Sequence, residues 1–249
     1  MKILALDTSS KNASVAILED NQILIELNNE DEKTHSQKLM PMIDEAFQKT
    51  KLSLNDISLI ACGLGPGSFT GVRIGIATAK AFVDTKHIPC VGISSLEALA
   101  YNLNQDGYIC SLINANHENC YAGFFHIEQK NGVLQTLESD FAFLDLSSPT
   151  ALLEFLENNT KITLPNNSPI YFVGDSILLY EHFLQNLPFT KKQELILANT
   201  SSTAISSITL AKIGYTKYKN GDYGNSNVLS PIYLRKSQAE LTLEQKQKT

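Results

Sequence analysis

No apolar run in this chain approaches the roughly 20 residues that a membrane-spanning helix needs. A membrane is therefore not among the expected partners. Met1-Lys2 is followed by only Ile3-Leu4-Ala5-Leu6 before Asp7, too short an apolar stretch for a secretory signal, and the expected location is the cytoplasm. The four cysteines (Cys62, Cys90, Cys110 and Cys120) form no C-x-x-C pair and no dense framework. That spacing argues against a zinc knuckle and against a disulfide scaffold, and leaves small, reduced apolar residues at strand edges. Basic residues are also in deficit, 20 against 26 acidic ones, for a net charge of -6. The nearest thing to a basic cluster is Lys212, Lys217, Lys219, Arg235 and Lys236, too sparse to predict nucleic-acid binding by the chain alone.

What is present reads as a folded α/β chain. Of its 249 residues 43% are apolar and 18% charged, a globular composition, with length enough for one large domain or two lobes. Ile3–Leu6, Ser14–Leu18 and Ile23–Leu27 predict a three-strand meander, and Asn28–Lys33 a solvated loop. A helix is predicted over 36–50, bent or restarted at Pro41. Ile57–Cys62 reads as a strand buried on both faces, followed by the glycine-rich Gly63–Gly67 and a helix over 69–84. A strand over 89–93 and a helix over 95–102 close a first lobe, expected at 1–104.

The second lobe, expected at 105–235, carries strand patterns at 108–113, 121–127 and 170–173. Its helical patterns lie at 151–157, 177–185 and 202–219, and the last is free to pack back on the first lobe. Asn131-Gly132 is a hairpin signal. Residues 236–249 read as a polar, frayed tail. Strand–helix alternation after a meander implies mixed sheets flanked by helices.

Three segments carry chemical signals, each with a plain structural alternative. Asp7-Thr8-Ser9-Ser10, at a strand's carboxyl end, can orient a phosphorylated or metal-bound ligand, or form a turn bonded to nearby backbone. Gly65, Gly67 and Gly71 fit neither the G-x-G-x-x-G fingerprint nor a Walker A loop. Gly65-Pro66-Gly67 with Ser68-Phe69-Thr70 still suits either an anion at a capped helix start or close packing alone. Gly71, Gly75 and Ala79 then line one helix face with small residues.

On the helix over 36–50, at about 100° per residue, Leu39, Met40, Met42, Ile43, Ala46 and Phe47 span an arc of about 160°. A helix facing only its own core needs little more than about 100°. The surplus can meet a partner protein or an inserted loop, and methionine suits partner surfaces. His35, His87, His117, His126 and His182 include no H-x-x-x-H pair, so no metal-ligating helix face is available. No Ser/His/Asp triad can be assembled, and no catalytic residue is nominated.

Leu4-Ala5-Leu6-Asp7-Thr8-Ser9-Ser10, His35-Ser36-Gln37-Lys38-Leu39-Met40-Pro41-Met42-Ile43 and Gly65-Pro66-Gly67-Ser68-Phe69-Thr70-Gly71-Val72-Arg73-Ile74-Gly75 closely resemble the TsaB (YeaZ) family, and Pro231-Ile232-Tyr233-Leu234-Arg235 matches its ending. The resemblance implies the two-lobe actin, sugar-kinase and Hsp70 fold. It also implies a part in making N6-threonylcarbamoyladenosine (t6A) beside the anticodon of tRNA. There TsaC makes threonylcarbamoyl-adenylate, and TsaD transfers the carbamoyl-threonine with help from TsaB and the ATPase TsaE.

By the same resemblance TsaB is a non-catalytic paralogue of TsaD, binding TsaD and TsaE, pairing with a second copy when alone, and meeting tRNA only through the complex. It implies no required cofactor or metal, with room for an adenine nucleotide at a shared interface. The residues expected to face such a nucleotide are Asp7, Thr8, Gly65, Gly67 and Ser68. Those expected to meet the partner are His35, Leu39, Met40, Ile43, Phe47, Gly71, Arg73 and Gly75.

Where TsaD carries H-x-E-x-H, this chain aligns Ser95, Glu97 and Leu99, and leucine cannot ligate a metal. Asn114-Ala115-Asn116 departs from the D-A-R of many TsaB relatives. Two other functions compete. One is a stand-alone ATPase or kinase of the same superfold. The other is a metalloprotease, which the missing H-x-x-x-H disfavours.

Overall fold

The structure, a computed structural model, describes residues 1–29, 35–130, 132–147, 149–158, 162–185, 194–198 and 204–235. The expected polar tail at 236–249 lies outside them.

β1 (Lys2–Asp7), β2 (Ala13–Glu19) and β3 (Gln22–Asn29) form the meander. β4 (Leu59–Gly63) and β5 (Cys90–Ile93) add to it in parallel, giving the order β3-β2-β1-β4-β5. Alternation along these strands explains their unbroken apolar sequences. Ile3, Ala5, Leu59 and Ala61 enter one core, while Leu4, Leu6, Ile60 and Cys62 enter the core on the opposite face. With both faces covered, neither set of alternate residues can be polar.

α1 (His35–Thr50) and α2 (Phe69–Lys86) cover the second face. α1 continues through Pro41 without a restart, so Pro41 lies inside the helix rather than at its beginning. The first face is covered by α3 (Ser95–Tyr101) and by α6 (Ser207–Lys219), which comes from the far end of the chain. α6 starts five residues later than its apolar pattern predicts. The Ser206 hydroxyl accepts from Ile208 N and caps it there, while 204–206 stay outside the helix.

The second half repeats the topology. β6 (Gly107–Asn114), β7 (Asn119–Lys130) and β8 (Val133–Asp145) are an antiparallel meander, and β9 (Pro169–Val173) and β10 (Glu194–Leu197) join in parallel. The order β8-β7-β6-β9-β10 copies that of the first sheet. β8 and β10 had no strand signal of their own. β8 is polar at Gln135, Thr136, Glu138, Ser139 and Asp140, so its pairing follows from its tight connection to β7, where Lys130 pairs with Val133. α4 (Pro149–Glu157) and α5 (Ser176–Gln185) cover the outer face of this sheet. Phe125, Ile127 and Val173 on its inner face share a core with Ile3, Ala5, α3 and α6, so both sheets close on one apolar centre. Among the described residues, no helix is long and apolar enough to cross a membrane.

Candidate functional site

β1 ends at Asp7, β4 at Gly63, and the chain between β5 and α3 passes beside both. Ser9 donates to Asp7 Oδ2 twice, from its backbone N–H at 3.1 Å and from its hydroxyl at 3.0 Å. Behind it the Ser95 hydroxyl donates to the Ser9 hydroxyl at 2.8 Å. The result is a buried chain of three polar side chains, Ser95 to Ser9 to Asp7, that joins the start of α3 to the end of β1 and the turn after it. Ser95 N also donates to Gly65 O at 2.8 Å, and Ser68 N to Ser9 O at 2.6 Å, so the glycine turn is tied down on top.

This packing closes the site. Asp7 is 1% exposed, and its Oδ1 has no hydrogen-bond partner among the described residues. It lies against the α-carbon of Gly63, where any Cβ would collide with it. Burial raises the Asp7 pKa to about 6, against the opposing hydrogen bonds of Ser9 and Ser10. Thr8, also 1% exposed, donates to Gly71 O at 2.7 Å.

Expectation and placement therefore part company at several residues. Asp7 and Thr8, expected to face a nucleotide, are buried beneath the glycine turn, and Gly65 is buried within that turn. Gly67 is half-buried, and Ser68 is exposed with its hydroxyl accepting from Gly71 N as the cap of α2. The small-residue stripe faces inward as well. Gly71, Gly75 and Ala79 are buried, and a Cβ on Gly75 would sit 2.5 Å from Thr8 Oγ1. These glycines seat α2 on β1 and leave no room for a partner helix on that face.

On α1 the apolar arc is divided. Leu39 and Ile43 are core, Phe47 is half-buried against the same core, and Met40 is 49% exposed. His35 opens the helix. Met40 and Arg73 are the members of the expected partner set that reach the surface among those whose side chains are described.

Sequence reasoning missed the company Arg73 keeps. Its guanidinium lies 4.0 Å over the Phe69 ring, its Nε donates to the Tyr233 hydroxyl at 2.8 Å, and Phe69 stacks on Tyr233 at 4.8 Å. Phe69 and Tyr233 remain 36% and 46% exposed. The matching family ending supplies Tyr233, because Ile232 N donates to Leu64 O at 2.9 Å and straps the C-terminal segment across the glycine turn.

At the aligned H-x-E-x-H columns, Ser95 serves the Asp7 chain and Leu99 is core. Glu97 is bound by Lys217 at 3.1 Å and by the Thr136 hydroxyl at 3.1 Å. Among the described residues no group of three or more His, Cys, Asp or Glu could hold a metal. All four cysteines are buried and free, and burial drives the Cys62 and Cys110 thiols well above their ordinary pKa, which keeps them protonated.

In the second sheet Asn114 stands where Asp7 stands in the first. Its N–H donates to Asp175 Oδ1 at 2.7 Å, and its own Oδ1 accepts from Asn116 N at 2.9 Å. Asn116, His117 and Glu118 all adopt positive φ, held by Asn119 Nδ2 donating to the carbonyls of Asn116 and His117. Asparagines thus organise the loop where many relatives have D-A-R.

Two matched mixed sheets of order 3-2-1-4-5, with a carboxylate ending the first strand and a glycine turn beyond it, define the two-lobe class of actin, sugar kinases and Hsp70. The fold matches a Pseudomonas aeruginosa structure described as an uncharacterized protein with similarity to peptidase YEAZ (TM-score 0.72, 21% identity, 94% of this chain and 99% of that one). It also matches the ROK hexokinase of Thermus thermophilus (TM-score 0.52, 11% identity, 88% and 100%).

The family model for TsaD, tRNA N6-adenosine threonylcarbamoyltransferase, matches residues 26–243. The tRNA threonylcarbamoyladenosine biosynthesis protein TsaB of Bacillus subtilis is 29% identical over 249 residues, all of both chains, and that of Escherichia coli 33% over 149 residues, 54% of this chain and 63% of that one. The chain belongs to the TsaD family, in its TsaB (YeaZ) branch.

Proposed function

We propose that this chain acts in t6A synthesis on tRNA as a non-catalytic partner of a TsaD-type transferase. The observation that carries this reading is the closed Asp7 site. Its carboxylate is covered by Ser9, Ser95 and the glycine turn, and the two aligned histidine columns hold a relay serine and a core leucine. A group that transfers or hydrolyses must reach its substrate, and this carboxylate reaches only protein. The names of the TsaB relatives supply the pathway.

The exposed Phe69–Arg73–Tyr233 stack at the start of α2, with Met40 exposed on the neighbouring α1, has the composition of a protein contact: aromatic, arginine and methionine side chains. The transferase is its occupant, and a second copy of this chain takes the same surface when the transferase is absent. TsaE completes the complex, tRNA is met through it, and the chain needs no cofactor of its own.

Reconstitution tests this. Transferase, ATPase and threonylcarbamoyl-adenylate with tRNA should give t6A at a rate that falls by about tenfold or more when this chain is left out. A chain carrying Asp7→Asn should restore at least about half of the rate, since Asp7 touches no reacting atom. Loss of modification by Asp7→Asn with complex formation intact, or steady ATP turnover by the isolated chain that Asp7→Asn abolishes, overturns the non-catalytic reading in favour of an ATPase.

A further inference from the structure

Away from the Asp7 site, a groove of about 870 Å³ runs between the β7–β8 hairpin and α6, with the β3 edge of the first sheet beside it. That volume lies in the range of sites that hold small organic ligands, about 300–1,000 Å³. Its charge is opposite to that of the chain as a whole. Among the described residues lining it, Lys130, Lys212 and Lys219 face a single carboxylate, Glu26. Glu26 is already engaged, accepting from the Ser206 hydroxyl at 2.7 Å and from Ile208 N at 3.5 Å, where it caps α6.

The lysines are less committed. Lys212 has no carboxylate within ion-pair distance among the described residues, Lys130 has Glu128 at 3.6 Å on an exposed strand end, and the Lys219 ammonium lies 5.3 Å from the centre of the Tyr215 ring and near Asp20. Exposed pairs of that kind are weak and easily exchanged for a stronger anion. The same walls carry the Tyr215 ring and the amides of Gln135 and Asn220. Ammonium groups flanking a ring and amides match one ligand chemistry: a phosphate ester carrying a flat, hydrogen-bonding base.

We propose that this groove is a nucleotide-phosphate site, with Lys130, Lys212 and Lys219 taking the phosphate charge and Tyr215, Gln135 and Asn220 meeting the base. It is separate from the Asp7 site and stands whether or not the chain proves to be a transferase partner. In sequence Lys212 and Lys219 belong only to a sparse basic cluster, and Lys130, which joins them here, comes from the end of β7, some eighty positions away.

The test uses the full chain alone, titrated with uridine monophosphate and, separately, with a fluorescent oligouridylate of about eight residues at about 50 mM salt. Dissociation constants below about 1 mM are expected, weakening with salt at a log–log slope near -2 for the oligonucleotide. Lys212→Glu with Lys219→Glu should weaken binding by about tenfold or more, and Tyr215→Leu by about fivefold, while Lys86→Glu on the far helix changes nothing.

Melting temperature confirms that each variant is folded, and Lys212→Ala with Lys219→Ala serves if charge reversal is not tolerated. Tighter binding of the oligonucleotide by about tenfold upholds the site and assigns it to an RNA strand; equal binding upholds it and assigns it to a free nucleotide. Failure of both probes to bind with a dissociation constant below about 1 mM, or unchanged binding by the folded double variant, overturns the proposal.

Discussion

The Ser95 hydroxyl donates to the Ser9 hydroxyl at 2.8 Å, joining the start of α3 to the turn after β1 across 86 positions of sequence. Through Ser9 it bears on Asp7, and together with the glycine turn it shuts that carboxylate away from solvent.

Burial leaves a pH signature. Asp7 titrates at about 6 in the folded chain, above its ordinary 3.8, so the folded state holds the proton more tightly than the unfolded one. The stability this group contributes is fully present below about 3.8 and is lost as pH rises to about 6, a loss of about 3 kcal/mol at pH 7. Asp7→Asn should therefore be more stable than the parent at pH 7, by about 1–3 kcal/mol, with the gap narrowing towards pH 4. Urea unfolding at several pH values measures it. Parallel stability curves for the two proteins would show that Asp7 is not the group responsible.

Glu97 is nearly buried and holds Lys217 and Thr136, which ties α3 to α6 and to β8. Lys217→Met leaves its carboxylate without its cation and should cost about 2–4 kcal/mol. Adding Glu97→Gln to that variant should recover more than half of the loss, because the uncompensated charge is gone. Thermal or urea unfolding of the two single variants and the double reads the coupling; additive losses would show that the two side chains do not interact.

Gly75→Ala places a methyl group against Thr8 Oγ1 and should destabilise by about 1–3 kcal/mol. Combined with Thr8→Ala, which removes the opposing hydroxyl, the loss should be less than the sum of the two single losses. Denaturant midpoints of the four proteins decide, and full additivity would mean that the methyl group clashes elsewhere.

Met40→Asp with Arg73→Glu changes only exposed side chains on α1 and α2. The variant should melt within about 2 °C of the parent, yet bind the transferase at least about 30-fold more weakly. The control Asp44→Ala with Gln48→Ala breaks an exposed 2.7 Å hydrogen bond on another part of α1 and should bind as the parent does. Calorimetric titration with the transferase compares them, and unchanged affinity in the first variant would move the interface elsewhere. Phe47 is unsuited to this test, since it packs on the core and its replacement by aspartate would confound folding with binding.

Much of this was legible from local pattern. The continuous apolar strands, the helices after Ser68 and Ser94, and the antiparallel pairing of β7 with β8 follow from burial on both faces, side-chain capping and turn chemistry, all written within a few residues of one another. β10 was not legible, because four residues at a sheet edge carry too little periodicity. The second sheet repeats the first in strand order although the sequence shows no short-period repeat, since topology constrains pattern and length rather than residue identity.

The site divides along the same line. Sequence alone determined that Asp7 ends a strand, that a capped glycine turn follows β4, and that the histidines contain no H-x-x-x-H spacing. Only the tertiary structure decided that Asp7 is sealed by Ser9 and Ser95, that the glycine stripe of α2 is filled by Thr8, that Tyr233 completes a stack on Phe69 and Arg73, and that Lys130 joins the lysines of α6. Each of these depends on a residue that lies tens to more than a hundred positions away, as Ser95 lies 86 positions from Ser9 and Tyr233 160 from Arg73. Hydrophobic periodicity sets which face of an element is buried, but which face it then meets depends on how every other element packs.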